Sequence, residues 1–330
     1  METSKQNIIP VFFTFNNNYA FPAQVAIYSL LKYADKQYFY KLYILQDSLT
    51  IENQSRLLKI IKSFTNHASL EFINVGDFHQ NSDWKHIKNK CHFSKEIFNK
   101  LIADIVFPQY DRIICSDVDV VFKGDISKSF YVNQDADYLV EGIRNVFKSA
   151  EKLWKNSNYT PTEKAILLKG IGAGYLILNI KQLRMGKGKE MRAYYKENLE
   201  NLTLPEQDVI NICCYPNIGY LPHSYMVSAD WYSIKITRDI FFNDLNFNVE
   251  SLFIESLKNP VQLHYAGYNK PWNSFFGKKW FEWFQEVNDA GLTGDYLQKL
   301  PCYLFQRRKQ YNLLRFIGKM NKKFTKLCGK

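Results

Sequence analysis

The amino-acid sequence predicts an α/β protein with a Rossmann-like mixed sheet flanked by helices. Strand-like and helix-like segments alternate through the first half of the chain, which is typical of a largely parallel sheet. Polar residues, Asn16 and Asp117 among them, stand where predicted strands end. Ligands of such sheets lie at the carboxyl ends of the strands, so these residues are candidates for binding.

The elements of the first half follow from apolar periodicity. Short apolar runs predict strands, and apolar residues three or four positions apart predict helices. The asparagines after the first strand favour a turn at 16–19. We predict strands at 8–15, 40–45, 70–75 and 112–116, and helices at 21–33, 50–65 and 94–105.

The second half has a less regular pattern. The polar segment 149–168 is interpreted as a loop or lid, and 242–257 receives no assignment. We predict strands at 136–141, 173–179 and 261–265, and helices at 180–198, 205–214 and 272–287.

Composition excludes several classes of protein. No apolar run approaches the roughly 18–20 residues that span a bilayer. The start of the chain lacks the pattern of a secretory signal. The six cysteines form no CxxC pair, which favours reduced thiols and a cytoplasmic location.

The net charge of +11 is concentrated near the end of the chain. Residues 301–330 contain nine Lys and Arg and no Asp or Glu. Apolar residues recur at helical spacing from Tyr311 onward, which predicts a basic amphipathic helix lying on an anionic membrane. A solvated charge run and a helix docked on the body are the alternatives. No nucleic-acid partner is expected, because the chain has no recognisable nucleic-acid-binding module.

The acidic pair Asp117 and Asp119 follows the apolar strand 112–116. Residues two apart in a strand point to the same side, so both carboxylates can face one ion. Oxygen ligands suit Mg²⁺ or Mn²⁺, and such a metal holds the diphosphate of a nucleotide-sugar donor. Solvated carboxylates are one alternative. A haloacid-dehalogenase phosphatase is another, but over 100 residues precede the pair here.

A second candidate segment, 264–272, reads His-Tyr-Ala-Gly-Tyr-Asn-Lys-Pro-Trp. A neutral imidazole at His264 would complete a Mn²⁺ site with the two aspartates. Gly267 would allow close approach of the backbone to a phosphate, and Lys270 would neutralise diphosphate charge.

Two further segments carry weaker signals. Segment 205–211 reads Pro-Glu-Gln-Asp-Val-Ile-Asn and is a helix start whose polar side chains could bind sugar hydroxyls. Segment 170–179 is a glycine-rich turn into a buried strand, and its spacing does not match a dinucleotide-binding fingerprint.

Together the four segments and the first strand resemble glycosyltransferase family 8, the retaining enzymes of GT-A fold that include lipo-oligosaccharide galactosyltransferases. The resemblance covers residues 8–275. It implies a GT-A catalytic domain over 1–275 and a helical C-terminal region over 276–330 that ends in the basic tail.

The resemblance also implies roles for individual residues. Asp117, Asp119 and His264 would hold Mn²⁺ or Mg²⁺. Gln207, Asp119 and Lys270 would take part in transfer. The donor nucleotide-sugar would contact Thr14, Asn16, Asn18, Tyr19, Lys100, Asp117, Val118, Gly172, Glu206, Gly267 and Lys270.

Four positions depart from the family pattern. Asn16 stands where an Asp usually contacts uracil, and Gly172 replaces a sugar-contacting Asn. Glu206 takes the first acidic place of the Asp-Gln-Asp motif, and no acidic residue lies near Arg144, where one is expected. These departures leave the donor sugar open between galactose and glucose.

The activity implied is transfer of a hexose from a UDP-sugar to a glycan or glycolipid acceptor, such as lipopolysaccharide or lipo-oligosaccharide. The enzyme would be peripherally associated with the inner face of the cytoplasmic membrane. A non-catalytic relative that binds nucleotide-sugar or glycan remains an alternative, because Gly172 and Arg144 depart from the pattern.

Overall fold

A computed structural model describes residues 7–81, 95–146, 154, 157–233, 249–267, 269–274 and 277–308. The chain divides into two compact units, residues 1–264 and 265–330. The predicted division into 1–275 and 276–330 stays a prediction.

A seven-stranded mixed sheet forms the centre of the first unit, in the order β3-β2-β1-β4-β7-β6-β8. Every neighbouring pair is parallel except the two that involve β7, which runs antiparallel to β4 and to β6. The predicted mixed, mostly parallel sheet is therefore confirmed. Its strands are β1 Asn7–Thr14, β2 Tyr38–Gln46, β3 Ala68–Asn74, β4 Arg112–Ser116, β6 Val140–Arg144, β7 Ile171–Asn179 and β8 Ile218–Leu221.

A smaller sheet of three strands, in the order β5-β10-β9, lies in the same unit. Its strands are β5 Val120–Phe122, β9 Val227–Ser228 and β10 Gln262–His264. Strand β10 is antiparallel to β5 and parallel to β9. This sheet brings the end of β10 to the beginning of β5, although the two strands are far apart in sequence.

Helices flank the large sheet, as the alternating pattern predicts. The α-helices of the first unit are α1 Ala20–Lys32, α2 Ile51–Ile61, α3 Gly76–Asn81, α4 Ala103–Val106, α5 Ser127–Tyr131, α6 Pro161–Leu168, α7 Ile180–Gln182, α8 Gly188–Asn198, α9 Pro205–Cys214 and α10 Val249–Lys258, and α11 Trp280–Asp289 belongs to the second unit.

The core extends over both faces of the sheet. Val11, Phe12 and Phe13 of β1 are fully buried, although neighbouring side chains of a strand point to opposite faces. The Phe12 ring lies 5.3 Å from that of Phe107, which also contacts Tyr43 at 5.0 Å. Full burial of one large apolar side chain stabilises the folded protein by about 1.5–3 kcal/mol.

The prediction of a loop or lid over 149–168 is wrong for its last part. Residues 161–168 form α6, because Thr160 and Glu163 make a capping box and Pro161 occupies the first helical turn. The mixed polarity of the segment masked this local signal. Residues 149–153 lie outside the described part of the chain.

Other differences concern element boundaries. The strand predicted at 136–141 is Val140–Arg144, and the helix predicted at 94–105 is a 3₁₀-helix, Lys95–Ile102, followed by α4. The helix predicted at 180–198 is interrupted at Gly186, whose φ of 125° is not helical. The unassigned segment 242–257 contains the start of α10, and the helix predicted at 272–287 begins at Trp280.

The second unit contains α11 and a helical segment over 293–308. The buried Trp283 ring packs edge-on against that of Tyr296 at 5.3 Å, so the two helices share an aromatic core. The amphipathic helix predicted beyond residue 310 lies outside the described residues. None of the described helices combines the length and apolar character needed to cross a bilayer.

Phe12→Ala tests the central role of β1. We expect the free energy of unfolding to fall by about 3–5 kcal/mol, because the change leaves a cavity between β1 and Phe107. Ile51→Ala is the control, since the Ile51 side chain is 82% exposed, and it should cost less than about 0.5 kcal/mol. Urea denaturation followed by circular dichroism measures both. Equal losses would contradict the core assignment.

Candidate functional site

Three predicted ligands, Asp117, Asp119 and His264, come together in the first unit. One ligand atom from each lies within 4.8 Å of the others. The Nε2 atom of His264 is 3.3 Å from Oδ1 of Asp119 and 3.7 Å from Oδ2 of Asp117. Two carboxylates and one imidazole are a donor set that suits Mn²⁺ or Mg²⁺, so the residues present fit a divalent metal.

Strand pairing explains why these residues meet. Asp117 follows β4, and its backbone N–H donates to the Gly174 carbonyl at 3.0 Å, which continues the β4–β7 ladder by one residue. His264 lies opposite Val120 in the antiparallel β5–β10 pair. Asp119 precedes Val120, so the same pair brings it beside the imidazole. Buried Val118 separates the two aspartates, and the backbone bends at Val118 and Asp119 between β4 and β5, where both carboxylates lie beside the imidazole.

Glycines of β7 leave room for this cluster. A Cβ on Gly174 would lie 2.6 Å from Cε1 of His264, so the imidazole packs directly on the bare backbone. A Cβ on Gly172 would lie 2.5 Å from the Cε methyl of Met226 and 3.2 Å from Oδ1 of Asn145. Met226 therefore fills the space above Gly172, and the side-chain amide nearest to that position belongs to Asn145 on the neighbouring chain segment.

Lys100 is buried beneath the acidic pair. Its Nζ donates to Oδ1 of Asp117 at 2.7 Å, to the Ala173 carbonyl at 2.9 Å and to Oε1 of Glu206 at 3.4 Å. Burial favours the neutral amine, but the charges of Asp117 and Glu206 outweigh it and hold the pKa of Lys100 above its usual range. Lys100 thus fixes the position of Asp117, while its predicted contact with the donor stays a prediction.

Helix α9 presents the Glu206-Gln207-Asp208 motif to β7. Gln207 Oε1 accepts from the Ala173 N–H at 3.2 Å. Asp208 instead accepts from Tyr159 Oη at 2.6 Å and from the Leu204 N–H at 2.7 Å, and burial raises its pKa to about 6. Burial likewise raises the pKa of Glu206. Gln207 lies against the glycine-rich strand, whereas Asp208 stabilises the start of its own helix.

The predicted nucleotide-binding loop follows β1. Thr14 Oγ1 donates to the Glu96 carbonyl at 2.9 Å, and Asn16 Nδ2 donates to the Glu96 carboxylate at 3.4 Å. Asn16 also caps a short 3₁₀ turn, where its Oδ1 accepts from the Asn18 N–H at 3.1 Å. The exposed Asn18 and half-buried Tyr19 belong to that turn. The loop is thereby joined to the 3₁₀-helix that carries Lys100.

Gly267 and Lys270 belong to the second unit, whereas the three candidate metal ligands belong to the first. Gly267 has a φ of 82°, a left-handed conformation that explains the need for glycine. Lys270 Nζ donates to the Tyr265 carbonyl at 2.8 Å. This contact folds the loop on itself, and the proposed roles of both residues in binding diphosphate stay predictions.

Three residues near the cluster escaped the sequence analysis. Glu96 joins the nucleotide loop to the helix of Lys100, Met226 covers Gly172, and Asn145 supplies an amide beside it. None of the three belongs to a short sequence motif. Each reaches the site through contacts between segments that are distant in sequence, so no local pattern predicts it.

A comparison with protein families adds independent evidence. The family described as glycosyl transferase family 8 matches residues 10–275, which is most of the chain. The chain belongs to this family. It is therefore a glycosyltransferase, and the haloacid-dehalogenase interpretation of the acidic pair is wrong.

Two curated bacterial proteins are similar in sequence. General stress protein A of Bacillus subtilis is 25% identical over 276 residues, which cover 82% of this chain and 89% of that protein. The lipopolysaccharide 1,2-glucosyltransferase of Escherichia coli is 25% identical over 185 residues, covering 56% of this chain and 51% of that protein.

Solved structures show the same fold. The galactosyltransferase LgtC, solved with donor and acceptor sugar analogs, superposes with a TM-score of 0.65 at 16% identity over 86% of this chain and 95% of its own. The bifunctional WbbM glycosyltransferase superposes with a TM-score of 0.68 at 22% identity over 91% of this chain. This chain spans about half of WbbM, 53%. These neighbours confirm the predicted GT-A type of fold.

Gly174→Ala tests the packing beneath His264. The added methyl would lie 2.6 Å from the imidazole and force it away from the aspartates, so we expect Mn²⁺ affinity to fall about 10–100-fold. Isothermal calorimetry with MnCl₂ measures the change. Gly294→Ala is the matched control, because no atom lies within 4 Å of a Cβ added there. Unchanged Mn²⁺ affinity in a folded Gly174→Ala protein would contradict this account of the site.

Proposed function

We propose that this glycosyltransferase moves a hexose, galactose or glucose, from a UDP-sugar to a glycan or glycolipid acceptor and depends on a divalent cation, Mn²⁺ or Mg²⁺. The observation that carries the proposal is the convergence of Asp117, Asp119 and His264 within 4.8 Å. Their oxygen and imidazole ligands would hold the cation. A bound cation would supply Lewis-acid stabilisation of the diphosphate leaving group.

Residues around the cluster would prepare it for the donor. Buried Lys100 holds Asp117 in place and keeps a positive charge beneath the two carboxylates. Lys270 would offset negative charge on the leaving diphosphate. Thr14, Asn16, Asn18 and Tyr19 would bind the nucleotide, and Asn16 can bond uracil because an amide is both donor and acceptor.

Gln207 is the proposed residue nearest the reacting carbon of the donor sugar. Its amide oxygen is directed to the Ala173 N–H, which fixes the side chain on the strand that borders the metal ligands. An amide is a weak nucleophile, so we favour front-face displacement through an oxocarbenium-like state, with Gln207 as a stabiliser. The resemblance to retaining enzymes implies that the anomeric configuration is kept.

The proposed acceptor class is supported by one relative. The similar Escherichia coli protein is a lipopolysaccharide 1,2-glucosyltransferase, which supports a lipopolysaccharide or lipo-oligosaccharide acceptor for this chain. The basic segment 301–330 would hold the enzyme at an anionic membrane surface on the cytoplasmic side. In the described helix 293–308, Leu297, Leu304 and Phe305 are exposed by 56%, 39% and 58%. These apolar side chains on the helix surface would add hydrophobic contact with the membrane to the electrostatic attraction.

Metal-dependent donor binding is the first test. Calorimetry should show that UDP binds the wild type more tightly with Mn²⁺ than without it, and that His264→Ala removes this gain. Asp119→Asn should also abolish hexose transfer, since a neutral amide is a poor ligand for the cation. Asp111→Asn is the control, because its side chain is 76% exposed.

Two results would refute this assignment. One is a folded Asp119→Asn enzyme with wild-type transfer. The other is UDP binding that is indifferent to Mn²⁺ and to His264. Release of phosphate from simple monoesters is not expected in any of these proteins.

Membrane attachment is tested separately with full-length protein and a variant in which Lys319, Lys322, Lys323 and Lys326 are glutamine. Each lysine near an anionic surface is worth about 1 kcal/mol, so the variant should lose most of its binding to phosphatidylserine vesicles. Flotation on sucrose gradients measures bound protein, with neutral phosphatidylcholine vesicles as the control. Equal flotation of both proteins on phosphatidylserine would exclude an electrostatic role for the tail.

A further inference from the structure

Arg144 is the last residue of β6 and lies at the same edge of the sheet as the metal ligands. Strands β4 and β6 are both antiparallel to β7, so their carboxyl ends share an edge. Arg144 pairs with Ile171 on β7, three residues before Gly174, whose carbonyl binds the Asp117 N–H. Three residues of strand span about 10 Å, so Arg144 lies about that far along β7 from the level at which Asp117 is bound.

The charge of Arg144 has no carboxylate partner among the described residues. Arginine side chains elsewhere in the described part of the first unit all lie within 4.0 Å of an acid. These pairs are Arg56 with Glu52, Arg112 with Glu141, Arg184 with Asp111, and Arg192 with Asp104. Arg144 has no such acidic partner, and it lies at the sheet edge that carries the proposed substrate site.

The guanidinium of Arg144 is positioned by an aromatic ring. Its Cζ lies 5.8 Å from the ring centroid of Tyr220 on β8, and the Tyr220 hydroxyl donates to the Lys169 carbonyl at 2.7 Å. The side chain of Arg144 is half-buried. A guanidinium held against an aromatic ring keeps its N–H groups available for the two oxygens of a carboxylate or phosphate.

The side chains of Asn145 and His223, which lie near Arg144, make no hydrogen bond within the described chain. The Asn145 amide makes no described hydrogen bond and lies over Gly172. His223 packs its ring against Trp231 and Phe253, and burial together with the charge on Arg144 lowers its pKa to about 4. His223 is therefore neutral near pH 7 and does not compete with Arg144 for an anion.

We propose that Arg144, supported by Tyr220 and Asn145, binds a carboxylate or phosphate group carried by the sugar substrate. The inference rests on the proposed transferase function and adds an anionic group to one of its two sugar substrates. If the anionic group is on the donor, the donor is a UDP-hexuronic acid instead of a neutral hexose. If it is on the acceptor, the donor stays neutral and the acceptor carries a uronic acid or a sugar phosphate.

The donor arm of the test uses the full chain with Mn²⁺ and calorimetry. It compares UDP-glucuronic acid with UDP-glucose, and UDP-galacturonic acid with UDP-galactose. A donor-borne anion should give the wild type at least about tenfold tighter binding of one acidic form, as expected for a charge-assisted, bidentate contact. Arg144→Gln should remove this preference and leave affinity for UDP itself unchanged.

The acceptor arm saturates the same protein with UDP and Mn²⁺. It then titrates methyl glucuronide against methyl glucoside, and glucose 6-phosphate against glucose, by saturation-transfer NMR. An acceptor-borne anion should give signals for a charged ligand that disappear in Arg144→Gln. Arg144→Lys should restore binding only in part, because lysine keeps the charge and loses the planar fork. Arg184→Gln, which removes an arginine already paired with an acid, is the control in both arms.

The outcomes separate this inference from the proposed function. If UDP binds with Mn²⁺ and neither arm shows a wild-type preference for the charged ligand, the anion site is refuted and the transferase proposal stands. The same conclusion follows if a preference exists and survives in Arg144→Gln. If UDP itself fails to bind, both proposals fall together.

Discussion

The buried ammonium group of Lys100 is the interaction on which the site depends. It contacts Asp117 after β4, the Ala173 carbonyl of β7 and Glu206 at the start of α9. A buried charge is stable only when paired, and loss of one partner costs several kcal/mol. These three segments are therefore held in one arrangement by a single charge, and Asp117, a proposed metal ligand, is fixed in position by Lys100.

Strand β7 carries the second constraint. It is the one strand of the large sheet that runs antiparallel to its neighbours, so its first residues lie at the edge where β4 and β6 end. The backbone there is bare at Gly172 and Gly174, and the side chains of Met226 and His264 pack directly on it. Helix α9 is joined to the same strand through Gln207 and Asn211, whose amides bond the backbones of Ala173 and Ile171. A side chain on either glycine would move the groups around it.

The structure shows what surrounds the two positions, 172 and 144, at which the sequence departs from the family pattern. The space that a side chain at residue 172 would occupy is filled by Met226, and Asn145 presents an amide beside it. Arg144 brings a positive charge with no carboxylate partner among the described residues to the edge where the acidic pair Asp117 and Asp119 lies. The nucleotide loop and the ligand cluster match the pattern more closely than the region around Arg144 does.

The sequence by itself determined the fold class, the strand that delivers the acidic pair and the helix at 205–214. These follow from local information: apolar runs, helical spacing, a proline at a helix start, and a distinctive segment at 264–272. The loop predicted over 161–168 is a helix. Its capping box is a local signal, but the mixed polarity of the segment obscures the helical pattern.

The sequence predicted that His264 joins the two aspartates, and the tertiary structure decided how it reaches them and which other side chains surround them. His264 reaches Asp119 through the β5–β10 pair, and Lys100 reaches Asp117 through burial beneath β4. The same holds for Asn145, Met226 and the isolated charge of Arg144, since proximity and the lack of a partner depend on segments far apart in the chain. Pairing register and burial are set by the whole sheet, so a sequence pattern can propose ligands but cannot give their neighbours.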